Sequence, residues 1–169
     1  MQSNNLLIRE IINRARVARL STIDYEKKIP HIVPVVFAFD GHHYFIPLDE
    51  KRKKETVEKL KRVKNIQHYP NVALLIDEYN ENWSKLVFVM IQGKAYLIGE
   101  KDVEENGECC KYDDYNNKIP LLKEGHKLLY QKYTQYQKVG IGHHCIIVKP
   151  QKIISVSYTH LTLPTNREV

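Results

Sequence analysis

The chain has 169 residues, a formal charge of +6 at neutral pH and a pI near 9.1, with 43% hydrophobic and 27% charged residues. That balance belongs to a soluble globular domain and excludes a disordered or collagen-like chain. No apolar run approaches the roughly 18 residues of a membrane span, and the modest basic surplus favours an anionic partner of some kind: nucleic acid, membrane surface or phosphorylated small molecule.

In chain order, Asn4 and Asn5 can cap a helix whose apolar positions Leu7, Ile8, Ile11, Ile12 and Ala15 follow the 3.6-residue period. Residues 17–23 read as a strand and 24–28 as a polar turn. Residues 31–39, HIVPVVFAF, form a strong apolar strand, and Asp40-Gly41 is a hairpin signal that returns the chain into Tyr44–Leu48. Pro34 and Pro47 each remove a ladder donor, which places them at sheet edges or bulges. A helix with the stripe Val57, Leu60, Val63 and Ile66 ends before Pro70. Residues 72–77 and 86–98 are two further strands, separated by a turn that carries Trp83, the only tryptophan. Gly93 inside the second of them signals a bulge or a close approach. Residues 99–118 are polar and acidic, 119–133 are helical with Pro120 in the first turn, and 145–148 and 153–156 are two short closing strands. Six or seven strands with hairpin connections and about three helices predict a mainly β, α+β domain, an antiparallel barrel with the helices outside it.

The run Asp49-Glu50-Lys51-Arg52-Lys53-Lys54 stands directly between an apolar strand and the expected amphipathic helix. Cations are disfavoured in a first helical turn, where unpaired amides and the positive end of the helix dipole already lie. An anion held by those amides and the lysines accounts for the run, and a phosphate is the obvious one. A solvated basic patch is the competing reading.

Other groups point away from chemistry. His42-His43 and His143-His144 are sequence neighbours on or beside strands, so each pair points to opposite faces and cannot chelate one ion; no metal site is expected. Cys109-Cys110 lies among acidic residues that raise a thiol pKa. The three cysteines lack C-x-x-C pairs and the N-terminus lacks a secretory pattern, so a cytoplasmic protein is expected. Residues 1–156 read as one domain. Residues 157–169 lack periodicity, resemble translated adapter sequence, and are expected to be a foreign or disordered tail.

Taken in order, several runs resemble the pyridoxamine 5'-phosphate oxidase-like, FMN-binding split-barrel superfamily, and within it the branch of probable coenzyme F420-dependent proteins. They are ARLST at 18–22, PHIVPVVFAFDG at 30–41, DEKRKK at 49–54, LKRVKNIQHYPNVALLID at 60–77, Tyr79 with Asn82-Trp83, QGKA at 92–95 and KYTQY at 132–136. The resemblance implies a homodimer of antiparallel split β-barrels with a cofactor, FMN or coenzyme F420, at the subunit interface. It implies that His31, Val33, Pro34 and Val35 line the ring from the second strand, and that Ile46, Pro47 and Leu48 give backbone contacts from the third. Lys51, Lys53 and Lys54 would hold the phosphate. Trp83 is either an aromatic wall for the ring or a packing residue. The chain departs from the branch's usual aromatic and arginine positions at Val87, Phe88 and Met90, and from a usual tryptophan at Val156.

The implied activity is hydride transfer to a small unsaturated organic substrate. In such an enzyme the cofactor carries the chemistry, and no protein nucleophile is needed. The catalytic residues are therefore unknown from sequence; Tyr133 and Tyr136 are proton-donor candidates but read better as packing residues. A flavin- or haem-binding module without turnover is the alternative. Nucleic acid is an unlikely partner, because the basic residues cluster in one segment instead of alternating with exposed aromatics along strands.

Overall fold

The computed structural model describes residues 2–48, 57–99 and 118–157. Seven strands form one antiparallel sheet: β1 Ala18–Ile23, β2 Pro30–Val35, β3 Ala38–Phe39, β4 Tyr44–Leu48, β5 Asn71–Glu78, β6 Val87–Gly99 and β7 His144–Ser157. Their order across the sheet is β2-β1-β5-β6-β7-β4-β3. Four α-helices accompany them among the described residues: α1 Gln2–Arg14, α2 Lys61–His68, α3 Lys118–Lys132 and the single turn α4 Tyr136–Val139. This is the expected mainly β architecture, a curled half-barrel with helices around it.

The curl follows from which side chains share a core. Strand alternation puts every second residue on one face. One apolar cluster takes Leu20 from β1, Val33 and Val35 from β2, Ile46 and Leu48 from β4, Leu74 from β5, Ile91 from β6 and Ile146 from β7. Strands near opposite ends of the sheet order therefore face one interior. α1 closes it with Ile11 and Ile12, and α2 with Val63 and Ile66. A second cluster lies outside the sheet, where Leu122, Leu129 and Tyr133 of the α3 region cover Phe45, Ile98, Cys145 and Ile147.

Several expected elements change shape. The apolar run 31–39 is not one strand: it breaks at Val36-Phe37 into β2 and β3. Tyr133 sets the break, since its buried hydroxyl accepts the Phe37 N–H at 3.1 Å and its single proton is shared between the carbonyls of Arg16 at 2.8 Å and Phe37 at 2.9 Å. The two short closing strands are one strand, β7, paired with β6 along its length; Gln151 is the extra residue where the register shifts opposite Gln92 and Gly93. At Gly93 the two strands approach closely, and a Cβ there would sit 2.3 Å from the Lys149 carbonyl oxygen. The stripe Val57, Leu60, Val63 and Ile66 packs into the core as expected, but no single helix carries it. Val57–Lys59 is a 3-10 turn and α2 starts only at Lys61. The first helix begins at Gln2, ahead of Asn4 and Asn5, so neither caps it. The Asp40-Gly41 hairpin forms as read, with Gly41 at φ +103° and the Asp40 carboxylate accepting the N–H groups of His42 and His43.

Candidate functional site

The split in the barrel has two rims. Among the described residues β2 pairs only with β1, and its Pro34 is compatible with an edge. β4 pairs with β7 over all five of its residues but with β3 only at Tyr44 and Phe45. Among the described residues Ile46, Pro47 and Leu48 therefore have no strand on their outer edge. Their side chains are buried, Ile46 and Leu48 in the interior and Pro47 on the opposite side of the strand, so what they offer a ligand is backbone.

On the β2 rim the register sorts the expected ring-lining residues by face. His31, Val33 and Val35 point to the interior side, with His31 and Val33 half-buried and Val35 buried. Pro34 points outward with Ile32, which is 63% exposed. The four residues thus do not share one surface, because a strand turns each neighbour over.

A polar clamp holds the β1–β2 connection beside this rim. Asp24 is buried; one carboxylate oxygen accepts the N–H groups of Glu26 and Lys27 at 3.0 Å each, and the other pairs with Lys61 of α2 at 2.5 Å. Lys61 first, then the backbone N–H donors, hold the Asp24 carboxyl down to about 2. One helical turn along α2, the completely buried Asn65 accepts the Tyr25 N–H at 3.0 Å and donates to Thr22 Oγ1 at 2.9 Å. Another turn on, His68 stacks against the Tyr25 ring with centroids 4.9 Å apart. Asn65 thus satisfies the backbone of a distant turn instead of that of its own helix end. Sequence reasoning left Thr22 and Asp24 out of the site. The signal available was an Asp followed by a polar turn, DYEKK, which marks a carboxylate folded onto its own amides.

Lys51, Lys53 and Lys54 lie outside the described residues, as do Cys109 and Cys110. The two ends of the basic segment are fixed: Leu48 at the β4 rim and Val57 against the interior are both buried. The described helix begins at Lys61, seven positions past Lys54, with Leu60 as an N-cap that makes no side-chain bond.

Trp83 sits in the 3-10 turn Trp83–Lys85, held by Asn82, whose side chain accepts the Ser84 N–H. Trp83 is 66% exposed, and neighbouring Tyr79 is 68% exposed. By register His31 lies level with Val72, while Trp83 lies beyond Glu78. At a strand rise of about 3.3 Å, six residues separate the two levels by roughly 20 Å. Tyr133 and Tyr136 are buried, and the Tyr133 hydroxyl is fully engaged in the β2–β3 break, which makes it structural. Burial and the nearby Arg16 guanidinium bring the Lys132 amine down to about 8; it lies over the Phe37 ring and donates to the Ile12 carbonyl.

Among the described residues α3 covers the outer face of the sheet over β3, β4, β7 and the end of β6. Cross-strand register aligns Pro34, Arg19, Leu75, Met90 and Ile154 in one row, and Asp77, Phe88 and Val156 in the next. Ile32 and Ile23 extend this apolar face, and Arg19 pairs with Asp77 within it. No helix among the described residues packs on it, and none is long and apolar enough to cross a membrane. No grouping of three or more His, Cys, Asp or Glu side chains occurs among them either.

The family model described as pyridoxamine 5'-phosphate oxidase matches residues 7–153. No curated protein matches the sequence significantly. Among solved structures, a conserved hypothetical protein from Mycobacterium tuberculosis superposes with a TM-score of 0.65 at 17% identity, over 97% of this chain and 91% of that one. An FAD-binding protein from Mesorhizobium loti gives 0.56 at 14% identity, over 89% and 91%. The haem storage protein HutZ from Vibrio cholerae gives 0.51 at 13% identity, over 88% and 92%. At such identities these likenesses speak to fold alone.

Proposed function

The chain belongs to the pyridoxamine 5'-phosphate oxidase family, and on that premise we propose that it is a homodimeric oxidoreductase that binds FMN or coenzyme F420 along its split. The observation that carries this reading is the pair of rims: a β4 edge without a strand neighbour at Ile46–Leu48, and half-buried His31 and Val33 on β2. A planar ring accepts hydrogen bonds at its edge and apolar contact on its faces, which is what these two rims offer. When bound, the ring supplies hydride for a small unsaturated organic substrate.

The chain's own tasks are then binding, orientation and exclusion of water. Backbone groups of Ile46, Pro47 and Leu48 meet the ring edge, and Val33 and Val35 keep water from the interior side. Lys51, Lys53 and Lys54, carried between Leu48 and Val57, hold the phosphate as compact point charges. The uncovered outer face favours a second copy as partner, since Leu75, Met90, Phe88 and Val156 on it are apolar. A wall role for Trp83 at the His31 level is then filled by the Trp83 of that second copy, because within one protomer the two lie far apart along β5. Of the positions where the sequence departs from the F420 branch, Phe88, Met90 and Val156 fall on this outer face, while Val87 is buried in the interior.

A second reading is a binding module without turnover, taking flavin or haem. The departures at Val87, Phe88, Met90 and Val156 favour it, and a haem storage protein shares the fold. The visible spectrum of the purified protein, followed by titrations with FMN, coenzyme F420 and haem, separates the ligands. Steady-state reduction of a test enone or quinone by the reduced cofactor then separates enzyme from module. Tight binding with no turnover across a broad substrate panel would replace the oxidoreductase reading with the module. Sedimentation of the wild type against Phe88→Lys tests the dimer, which the lysine should dissociate.

A further inference from the structure

The buried amide of Asn65 has a single allowed orientation. Its Oδ1 faces the Tyr25 N–H, which can only donate, so Nδ2 is the atom that faces Thr22. Thr22 Oγ1 therefore accepts from Asn65, and its remaining hydrogen-bonding capacity lies away from α2. What lies there is one residue, His31: its Nδ1 at 3.5 Å and its carbonyl oxygen at 3.4 Å. Thr22 and His31 are directly opposite each other in the β1–β2 ladder. Thr22 and Asn65 are buried, whereas His31 is half-buried. The imidazole is thus gripped from its protein side at one ring nitrogen.

We infer that Thr22 and Asn65 are positioning residues for His31: they tether Nδ1, so that Nε2 is the nitrogen presented at the β2 rim to a ring ligand. This rests on the cofactor reading above for the identity of the ligand, but the tether itself does not. The arrangement also gives α2 a function beyond closing the interior. Asn65 links α2 to Thr22 on β1 and to the β1–β2 connection, and through Thr22 to His31 on β2. Asn65 stands one turn after Lys61, whose pairing with Asp24 fixes the same connection. A ring tethered at one nitrogen donates or accepts in one direction only, which restricts ligands to those with a polar edge atom at that place.

The test uses the full-length protein, with Thr22→Val, Thr22→Ser and His31→Ala variants. Thr22→Val keeps the shape and removes the hydroxyl, while Thr22→Ser restores it. In the ligand-free protein, nitrogen-15 NMR of the His31 ring should show Nδ1 and Nε2 signals that move in Thr22→Val and return in Thr22→Ser. His31 signals that stay put in Thr22→Val overturn the tether. FMN and coenzyme F420 titrations should show Thr22→Val weakening binding about three- to tenfold, the equivalent of one neutral hydrogen bond. The same substitution in a His31→Ala background should cost nothing further. Equal losses in both backgrounds overturn the positioning role, because Thr22 would then act by structure alone. A wild type that binds neither cofactor, with the NMR shifts intact, leaves the tether standing and removes the cofactor reading instead.

Discussion

Replacing Tyr133 by Phe removes one hydroxyl from a completely packed position without opening a cavity. That oxygen accepts the Phe37 N–H, and its one proton is shared between the Phe37 and Arg16 carbonyls. Phe37 has no exposed surface, so its amide cannot turn to water once the oxygen is gone. A buried donor left unpaired costs about 1–3 kcal/mol, while the Arg16 carbonyl, on an exposed residue, regains solvent. The melting temperature of a domain this size should fall by about 3–9 °C. Tyr44→Phe is the internal control. Its hydroxyl is just as buried, makes no hydrogen bond, and burial alone drives its pKa upward. Removing it should leave stability unchanged or raise it by up to about 1 kcal/mol, since an orphaned polar group disappears. Urea denaturation at one protein concentration, with m unchanged, reads both variants. The reasoning fails if Tyr44→Phe loses as much as Tyr133→Phe, or if Tyr133→Phe loses nothing.

Gly93→Ala places a methyl 2.3 Å from the Lys149 carbonyl oxygen, a backbone atom that moves only if β6 and β7 part; the expected loss is about 3 kcal/mol in chemical denaturation. A loss under roughly 0.5 kcal/mol would mean the strands separate freely there. Asp24 has its folded pKa held at about 2 against 3.8, so its contribution is complete above 3.8 and fades as pH falls from there toward 2. The gap in melting temperature between wild type and Asp24→Asn should therefore close over that window, and a gap that persists at pH 2 contradicts the ion pair. Lys51→Ala and Lys53→Ala should each weaken binding of a phosphate-bearing cofactor by about 1–3 kcal/mol in calorimetric titration, and a double variant with wild-type affinity excludes the phosphate site.

Much of the fold was legible in sequence because it depends on local periodicity. Alternation placed β1, β5 and β6 within about a residue of their ends, Tyr44–Leu48 was read without error, and Pro120 marked the first turn of α3. Gly93 announced a close approach, and Asp40-Gly41 announced a hairpin, since each residue type suits one backbone geometry. Among site residues, the edge character of Pro34 and Pro47 followed from their missing N–H groups.

What sequence could not decide is set by contacts between distant segments. The break between β2 and β3 depends on a tyrosine 96 residues further along the chain, and no local pattern encodes that bond. The fusion of two closing strands into β7 depends on β6 offering an unbroken partner that absorbs one extra residue. Which face of β2 turns to the interior follows from the packing of the whole sheet, and whether Asn65 serves its own helix or another turn follows from where α2 docks. Composition and periodicity determine which residues are buried and in what kind of element. Only the closed tertiary arrangement determines which buried polar groups meet, because each must find a partner wherever the packed chain brings one within hydrogen-bonding reach.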